Sequence, residues 1–448
     1  MFALLLLSLT AVAFAQNPPL NTLTLPPGFN IEVFANKSWH VRTPRELNVQ
    51  FYEGATIIYL GTLNTNFKNP IALVDRDSDN KIDASFVLFD APANINHIDS
   101  LAVHPETGQL FFSGFNQTWK CEGNVNELVL NEFNESSRLT CNRWFTCPYN
   151  ASQAEWHAFH FMDFNLNTKQ LCMSFGQPCN ECIDKANTPP KSTIMCYDTD
   201  TAQHILDGTV WAAGVRNSFG HKFHPKTGKM WFTDNGRDEL LSTTNMPDDE
   251  LNVVNEVGEF FGYPYCHSEG CGDPYQRDVE CVSAITDPDL GDGGFTNNCT
   301  SNVTLAKQAL GPHVGVLGMR FYTGSMFPAK YSNAIFAAEH GSWDRTPLIG
   351  YRVGVVFLDD AGQNVVGNDI FIAGWLNDST QSVWGRVTDL DWLKDGSMIL
   401  CDDQQQVIYR VWYNVSEDTP QAQQEYQVKK QELQQAYDAA YSRAMMNR

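Results

Sequence analysis

One short unit recurs along the chain and constrains the fold more than any other feature. A turn containing Gly, Asn or Asp feeds an apolar strand that closes on small or acidic residues. Six examples read YEGATIIYLGT from Tyr52, HPETGQLFFSG from His104, NLNTKQLCMSFG from Asn165, HPKTGKMWFTDNG from His224, YSNAIFAAEHGSW from Tyr331 and LKDGSMILCDD from Leu393. With Gly54, Gly108, Lys169, Gly228, Asn333 and Gly396 as equivalent turn positions, the spacings are 54, 61, 59, 105 and 63 residues. Such a spacing leaves room for about four short strands per repeat, which is how a propeller blade is built. The expectation is an all-β chain: a six-bladed β-propeller with a Cys-rich insertion in the long fourth gap. A pair of irregular β-sandwiches would also show short strands between turns, but the near-equal period favours the propeller.

Helical periodicity is scarce until Thr419-Pro420, which reads as an N-cap followed by proline in the first turn. Beyond it Leu433, Tyr437, Ala440 and Ala444 recur at helical spacing. A short C-terminal helix is expected there, docked on the propeller, paired with another chain, or left as a solvated tail. The expected division is residues 1–15 as a signal peptide, 16–415 as the propeller and 416–448 as the helical tail.

Met1 to Ala15 is an apolar run ending in Ala13-Phe14-Ala15, the pattern of a cleaved secretory signal and too short to span a bilayer. No other stretch is long and apolar enough to cross. Twelve cysteines form an even set. Asn36, Asn116, Asn134, Asn150, Asn298, Asn302, Asn377 and Asn414 each begin an N-x-Ser/Thr sequon. Together these predict a secreted, extracellular glycoprotein with disulfide bonds. Thirty Lys and Arg against 52 Asp and Glu give a formal charge of −22, which repels phosphate backbones and anionic lipid surfaces. Nucleic acid is excluded as a partner on that ground.

There is no GxSxG elbow, HExxH, P-loop or GxGxxG. The polar residues that stand out lie at strand ends: His157 in EWHAFHF, Arg216-Asn217 in WAAGVRNSFGHKFHP, Asp234 to Asp238 in TDNGRDE, His313, Arg345 in EHGSWDR and Arg386 in VWGRVTD. In so acidic a chain, arginines in separate repeats beside Gly, Asn or Trp argue for an anionic ligand, whereas each alone reads equally as an ion-pair partner.

Several segments carry a resemblance over nearly the whole mature chain: DRDSDNKID from Asp75, FGQPCNEC from Phe175, GVRNSFGHKFHPKTGKMWFTDNGRDE from Gly214, PDDELN from Pro247, FFGYPYCH from Phe260, LGPHVGVLGMRFYTG from Leu310, AAEHGSWDRTPLIGYRV from Ala337 and AGWL from Ala373. The sequence resembles the soluble quinoprotein glucose/sorbosone dehydrogenase family, most of all its sorbosone-dehydrogenase-like branch. The resemblance implies a six-bladed propeller that holds pyrroloquinoline quinone (PQQ) and calcium (Ca2+), and oxidises an aldose or sugar-derived aldehyde or alcohol with an external electron acceptor. It implies His157 as general base, Arg216 and Asn217 beside the quinone carbonyl, and Arg345 and Arg386 on the cofactor carboxylates. The main-chain carbonyls of Gly236 and Arg237 would hold the calcium. Trp156 replaces the family's frequent first His, Ala158 the following Gly, and Gln177 falls where glucose dehydrogenases place an acid that orients the base.

Two other functional classes stay open: a propeller that has lost catalysis and binds protein or glycan, and a calcium-dependent lactone hydrolase. Cys172, Cys179, Cys182 and Cys196 invite a zinc reading, although an oxidising secretory route favours disulfides. Asp75, Asp77, Asp79 and Asp83 alternate like a calcium loop, but Phe86 stands where an EF-hand needs Glu, so a polar hairpin turn is expected, with a structural calcium site as the alternative.

Overall fold

Each of the six aligned turn residues adopts the left-handed conformation, with φ from 58° at Asn333 to 93° at Gly54. In the computed structural model each sits between the first and second strands of one four-stranded antiparallel unit. The structure describes residues 18–446 except 64–68, 91–94, 96, 115, 133–138, 148–156, 158, 182–190, 241–244, 270–283, 291–298 and 344. The expected signal peptide lies outside the described residues.

Blade 1 comprises strands Pro44–Tyr52, Ala55–Thr62, Ile71–Asp75 and Ala84–Val87; blade 2 comprises Ser100–Val103, Leu110–Gly114, Gln117–Cys121 and Cys141–Thr146. Blade 3 comprises Met162–Phe164, Leu171–Phe175, Thr193–Tyr197 and Thr209–Ala213, with Glu259–Phe260 added in parallel at its outer edge. Blade 4 comprises His221–Phe223, Met230–Asp234, Asp248–Val253 and Gln308–Pro312, and blade 5 comprises Val316–Phe321, Ile335–Glu339, Arg352–Leu358 and Val365–Ile372. Blade 6 takes Val387–Trp392, Met398–Asp402 and Val407–Tyr413 from the end of the chain and its outermost strand, Phe29–Ala35, from the beginning.

The second strand of every blade is buried along its full length. Its two faces pack on different neighbours, which is why these segments read as apolar runs. In blade 2, Phe111 joins the core shared with blade 3 and the adjacent Phe112 the core shared with blade 1. An apolar cluster fills each of the six junctions between successive blades, including the one between blades 6 and 1. An open array of six blades would have five junctions, so the ring is closed.

The first strand of each blade faces the axis and, among the described residues, has no strand partner on that side. Carboxylates and hydroxyls satisfy its backbone instead: Leu47 N–H donates to Asp389 (2.9 Å), Leu101 N–H to Glu46 (3.2 Å) and Met162 N–H to Ser100 Oγ (2.8 Å). Arg320 pairs with Asp389 at 2.8 Å and Lys222 with Asp163 at 2.5 Å, cross-linking blades 5 with 6 and 4 with 3.

The long gap is an insertion inside blade 4, between its third and fourth strands. It contains the hairpin Cys266–Ser268 with Ala284–Thr286 and the short helix Cys299–Asn302, joined by the Cys266–Cys299 disulfide. Cys121–Cys141 and Cys172–Cys196 join neighbouring strands of blades 2 and 3. The zinc reading fails on this point, because Cys172 and Cys196 bond each other and Cys179 is also in a disulfide. Cys182, Cys271 and Cys281 lie outside the described residues. Cys147 and Cys401 are free thiols buried in the core.

DRDSDNKID forms the connection between the third and fourth strands of blade 1. Asp75 accepts from Asp79 N–H and Asn80 N–H (3.1 and 2.8 Å), and Asp83 accepts from Arg76 N–H at 2.7 Å, so the acids shape their own turn. The C-terminal helix spans Pro420–Met446 and docks on the propeller through Tyr426, Tyr437 and Ala440. No helix among the described residues is long and apolar enough to cross a membrane.

Candidate active site

At one end of the propeller axis the segments entering the first strands of blades 3 to 6 meet those leaving the second strands of blades 4 and 5. They enclose a cavity of about 450 Å³, within the range of small-molecule sites. His157, Arg216, Asn217, Gly236, His313 and Arg386, all singled out in the sequence, line it together.

His157 is 5% exposed, and its Nδ1 lies 2.6 Å from the main-chain oxygen of Gln177. A carbonyl can only accept, so Nδ1 carries the proton and Nε2 the lone pair. Gln177 therefore orients this ring with its backbone, where glucose dehydrogenases are expected to use an acidic side chain. Burial, reinforced by the Arg216 charge, holds the imidazole pKa well below its ordinary value of 6.5. Gly176 makes the arrangement possible, because a Cβ there would collide with the His157 carbonyl.

Arg216 is buried, and its guanidinium is fixed from several sides. Nη2 donates to Asn180 Oδ1 (2.7 Å) and to Asp238 (3.0 Å), and Nη1 donates to the Asn235 carbonyl (3.2 Å). Asp234, at the end of the second strand of blade 4, accepts from the backbone N–H of Arg216 and Asn217 at 2.9 and 2.7 Å. Blade 6 repeats the device: Asp402 accepts from Arg386 N–H at 3.1 Å. The Arg386 side chain then donates to the carbonyls of His340 and Gly341, each at 3.2 Å. Two guanidinium groups on different blades thus border one cavity, each aimed by an aspartate at the same position of its repeat.

The residues Asp249 and His340 went unassigned in the sequence. Asp249, fully buried, accepts from Gly236 N–H (3.0 Å) and from Gly315 N–H (2.7 Å), tying blade 4 to blade 5. Burial pushes its carboxyl up to about 8. His340 Nε2 meets Asp403 at 2.9 Å, yet burial brings its pKa down to about 4, aided by Arg386 and Arg45. A repeat-register signal was present: Asn235-Gly236 and His340-Gly341 each follow the acidic residue that ends a second strand. Trp343, 66% exposed, completes the wall beside Ser342.

Two candidate residues lie elsewhere. The Arg345 side chain is buried away from the cavity, donating to Tyr437 OH in the C-terminal helix (2.8 Å) and to the Pro347 carbonyl (3.1 Å). It is not among the residues that line the cavity, and its donors go to protein oxygens. The Arg237 side chain turns into an acidic cage of Glu181, Asp287 and Asp289, and His267 donates to the same Asp287 at 2.7 Å. Arg237 does not line the cavity, although its neighbour Gly236 does. His160 sits deeper, with its Nδ1 2.9 Å from the Ser174 carbonyl. Trp156 and Ala158 lie outside the described residues.

A closed six-bladed propeller with a polar, ligand-sized cavity at one end of its axis is the class that fold and site define. The chain belongs to the TrAA12-like family, whose signature matches residues 166–417. An uncharacterised protein of Borreliella burgdorferi is 27% identical over 415 residues, covering 90% of this chain and 94% of that one. A pyrroloquinoline quinone-dependent sugar dehydrogenase of Hypocrea jecorina is 26% identical over 196 residues, 39% of this chain and 44% of that protein. Among solved structures, the calcium structure of the Trichoderma reesei carbohydrate-active enzyme of family AA12 superposes with a TM-score of 0.69. It is 18% identical, with 90% of this chain and 100% of that chain covered. The holo PQQ domain of pyranose dehydrogenase from Coprinopsis cinerea gives a TM-score of 0.66 at 17% identity, covering 87% and 97%. At these identities the superpositions speak to the fold.

Proposed function

We propose that this protein is a secreted, PQQ- and calcium-dependent dehydrogenase that oxidises an aldose or a sugar-derived aldehyde or alcohol. The observation that carries the reading is the convergence of His157, Arg216 and Arg386, from three blades, on one cavity. The donor set fits an anionic, multiply carboxylated ligand: two guanidinium groups, the Asn217 amide and the His157 and His340 imidazoles, whose pKa values burial lowers, while burial raises the Asp249 carboxyl to about 8 and Asp238 is paired with Arg216. The disulfides fit an oxidising compartment.

In this reading Arg386 and Asn217 hold the cofactor, and the carbonyls of Gly236 and Arg237 hold its calcium. The caged Arg237 side chain keeps its own charge away from that ion. PQQ, when bound, supplies the acceptor for the hydride that leaves the sugar carbon. The chain supplies the rest. His157 takes the hydroxyl proton at Nε2, while the Gln177 carbonyl keeps the ring in the tautomer that can accept it. Arg216 cannot deprotonate, and its fixed guanidinium stabilises negative charge that develops beside it. Trp343 offers an apolar face at the rim to the C–H side of a pyranose ring.

Calorimetric titration of the calcium-loaded protein with PQQ, beside an Arg216→Ala variant, tests the reading. Tight binding that the variant loses supports it, and turnover of aldoses with an artificial electron acceptor should follow. Failure of the folded wild type to bind would overturn it in favour of a propeller that binds protein or glycan.

A further inference from the structure

The C-terminal helix is tied through two phenols to segments that lead into the cavity wall. Tyr437 and Tyr441 stand one turn apart, with ring centroids 6.2 Å from each other. Tyr437 OH accepts from Arg345 Nη2 at 2.8 Å, Tyr441 OH accepts from Asn245 Nδ2 at 2.6 Å, and the same Arg345 nitrogen donates to Asn245 Oδ1 at 3.4 Å. The four side chains form a closed circuit, with Tyr437 and Arg345 both about 3% exposed. A buried guanidinium with its donors engaged is costly to displace.

Two arms run from this circuit to the cavity. In the first, Arg345 Nε donates to the Pro347 carbonyl at 3.1 Å and stiffens the hairpin closed by Ser342 N–H to Ile349 O (2.9 Å) and Ile349 N–H to Ser342 Oγ (3.0 Å). That hairpin carries Ser342 and Trp343 into the wall. In the second, Asn245 precedes Met246, whose carbonyl lies 3.1 Å from His313 Nε2. Arg345 Nη1 also reaches the Pro312 carbonyl at 3.4 Å, next to His313. By contrast, Tyr426, nearer the start of the helix, reaches the outer strand of blade 5 through the Ile370 carbonyl at 3.4 Å and has no hydrogen bond to either arm among the described residues.

We propose that Tyr437 and Tyr441 are positioning residues: the helix clasps the Arg345–Asn245 pair and thereby sets the Trp343 and His313 wall for the sugar. The part concerning sugar rests on the dehydrogenase reading, whereas the clasp itself does not. Hydrogen exchange would be followed in the full-length Tyr437→Phe, Tyr441→Phe and double variants, with Tyr426→Phe as a helix-docking control. Amides of Ser342 and Ile349, whose hydrogen bonds close the hairpin, should exchange about tenfold faster in the double variant and at the wild-type rate in the control. In the PQQ-loaded enzyme, KM for an aldose should rise about fivefold to tenfold with kcat within about twofold, since the wall touches bound sugar and leaves the proton-accepting side intact. Unchanged exchange at those amides in the clasp variants, or an equal increase in Tyr426→Phe, would overturn the clasp. If the double variant does not fold, the single variants decide by the same readouts. A wild type that binds no PQQ would sink the dehydrogenase reading alone, because the exchange result stands without it.

Discussion

His157 shows how much a backbone carbonyl can accomplish where Gln177 stands in place of an orienting acid. The Gln177 oxygen selects the tautomer without adding a charge, so burial and Arg216 keep the ring neutral far into acid. The acid limb of kcat/KM should therefore fall well below pH 6.5, read from a pH profile at saturating PQQ. His157→Gln should lower kcat by about 10²–10⁴ while calorimetry still shows PQQ binding. Gly176→Ala, which drives a methyl into the His157 carbonyl, should also lower kcat with the fold intact by circular dichroism. His157, Arg216, Asn217 and Arg386 were legible because each stands at a strand end in a recognisable motif. The Arg345 partner was not legible, because an arginine beside Trp and Pro reads alike whether its acceptor is a carboxylate or a phenol 92 residues away. Asp249 was hidden for a related reason, since its partners lie in two blades.

At the scale of elements, the insertion in blade 4 is fastened by charge as well as by sulfur. Arg237 joins it to the segment that also carries Gly236, and Asp287 has no exposure at all beneath that guanidinium. Arg237→Met would leave the buried Asp287 carboxylate without its guanidinium, held by His267 and the backbone N–H groups of Asp289 and Leu290, and thermal or urea unfolding should show a loss of about 3–5 kcal/mol. The existence of the insertion was plain from the uneven spacing of the repeats. Its place inside a blade, between third and fourth strands, was not, because the fourth strand QALGP carries little alternation. The C-terminal helix was foreseen, but its docking surface was not. A stripe of Leu, Tyr and Ala does not say which loops its phenols reach.

For the molecule as a whole, the six-fold repeat was the most readable feature, since the turn positions alone locate every second strand. Buried ionisable groups crowd the axis, and their effects on stability have opposite signs, so a comparison of variants is more informative than a single pH curve. The His340 pKa is about 4 in the folded protein against 6.5 unfolded. As pH falls through that window the unfolded chain takes up the proton first and stability is lost. His340→Asn, which keeps a donor for Asp403, should gain in urea midpoint relative to wild type as pH drops from about 6.5 to about 4. Phe29 packs edge-on against Phe327, Tyr331 and Phe371 at the junction of blades 5 and 6. Phe29→Ala should cost about 3–5 kcal/mol in the same assay.

The pairing of Phe29–Ala35 with Val407–Tyr413 also sets an order of events during synthesis. The strand made near the start has no partner until almost the last residue of the propeller has emerged, so blades 1 to 5 can assemble while the ring still gapes. Until then one end of the nascent chain presents an open strand edge to its surroundings, and its protection during that interval falls to whatever folding helpers its compartment provides.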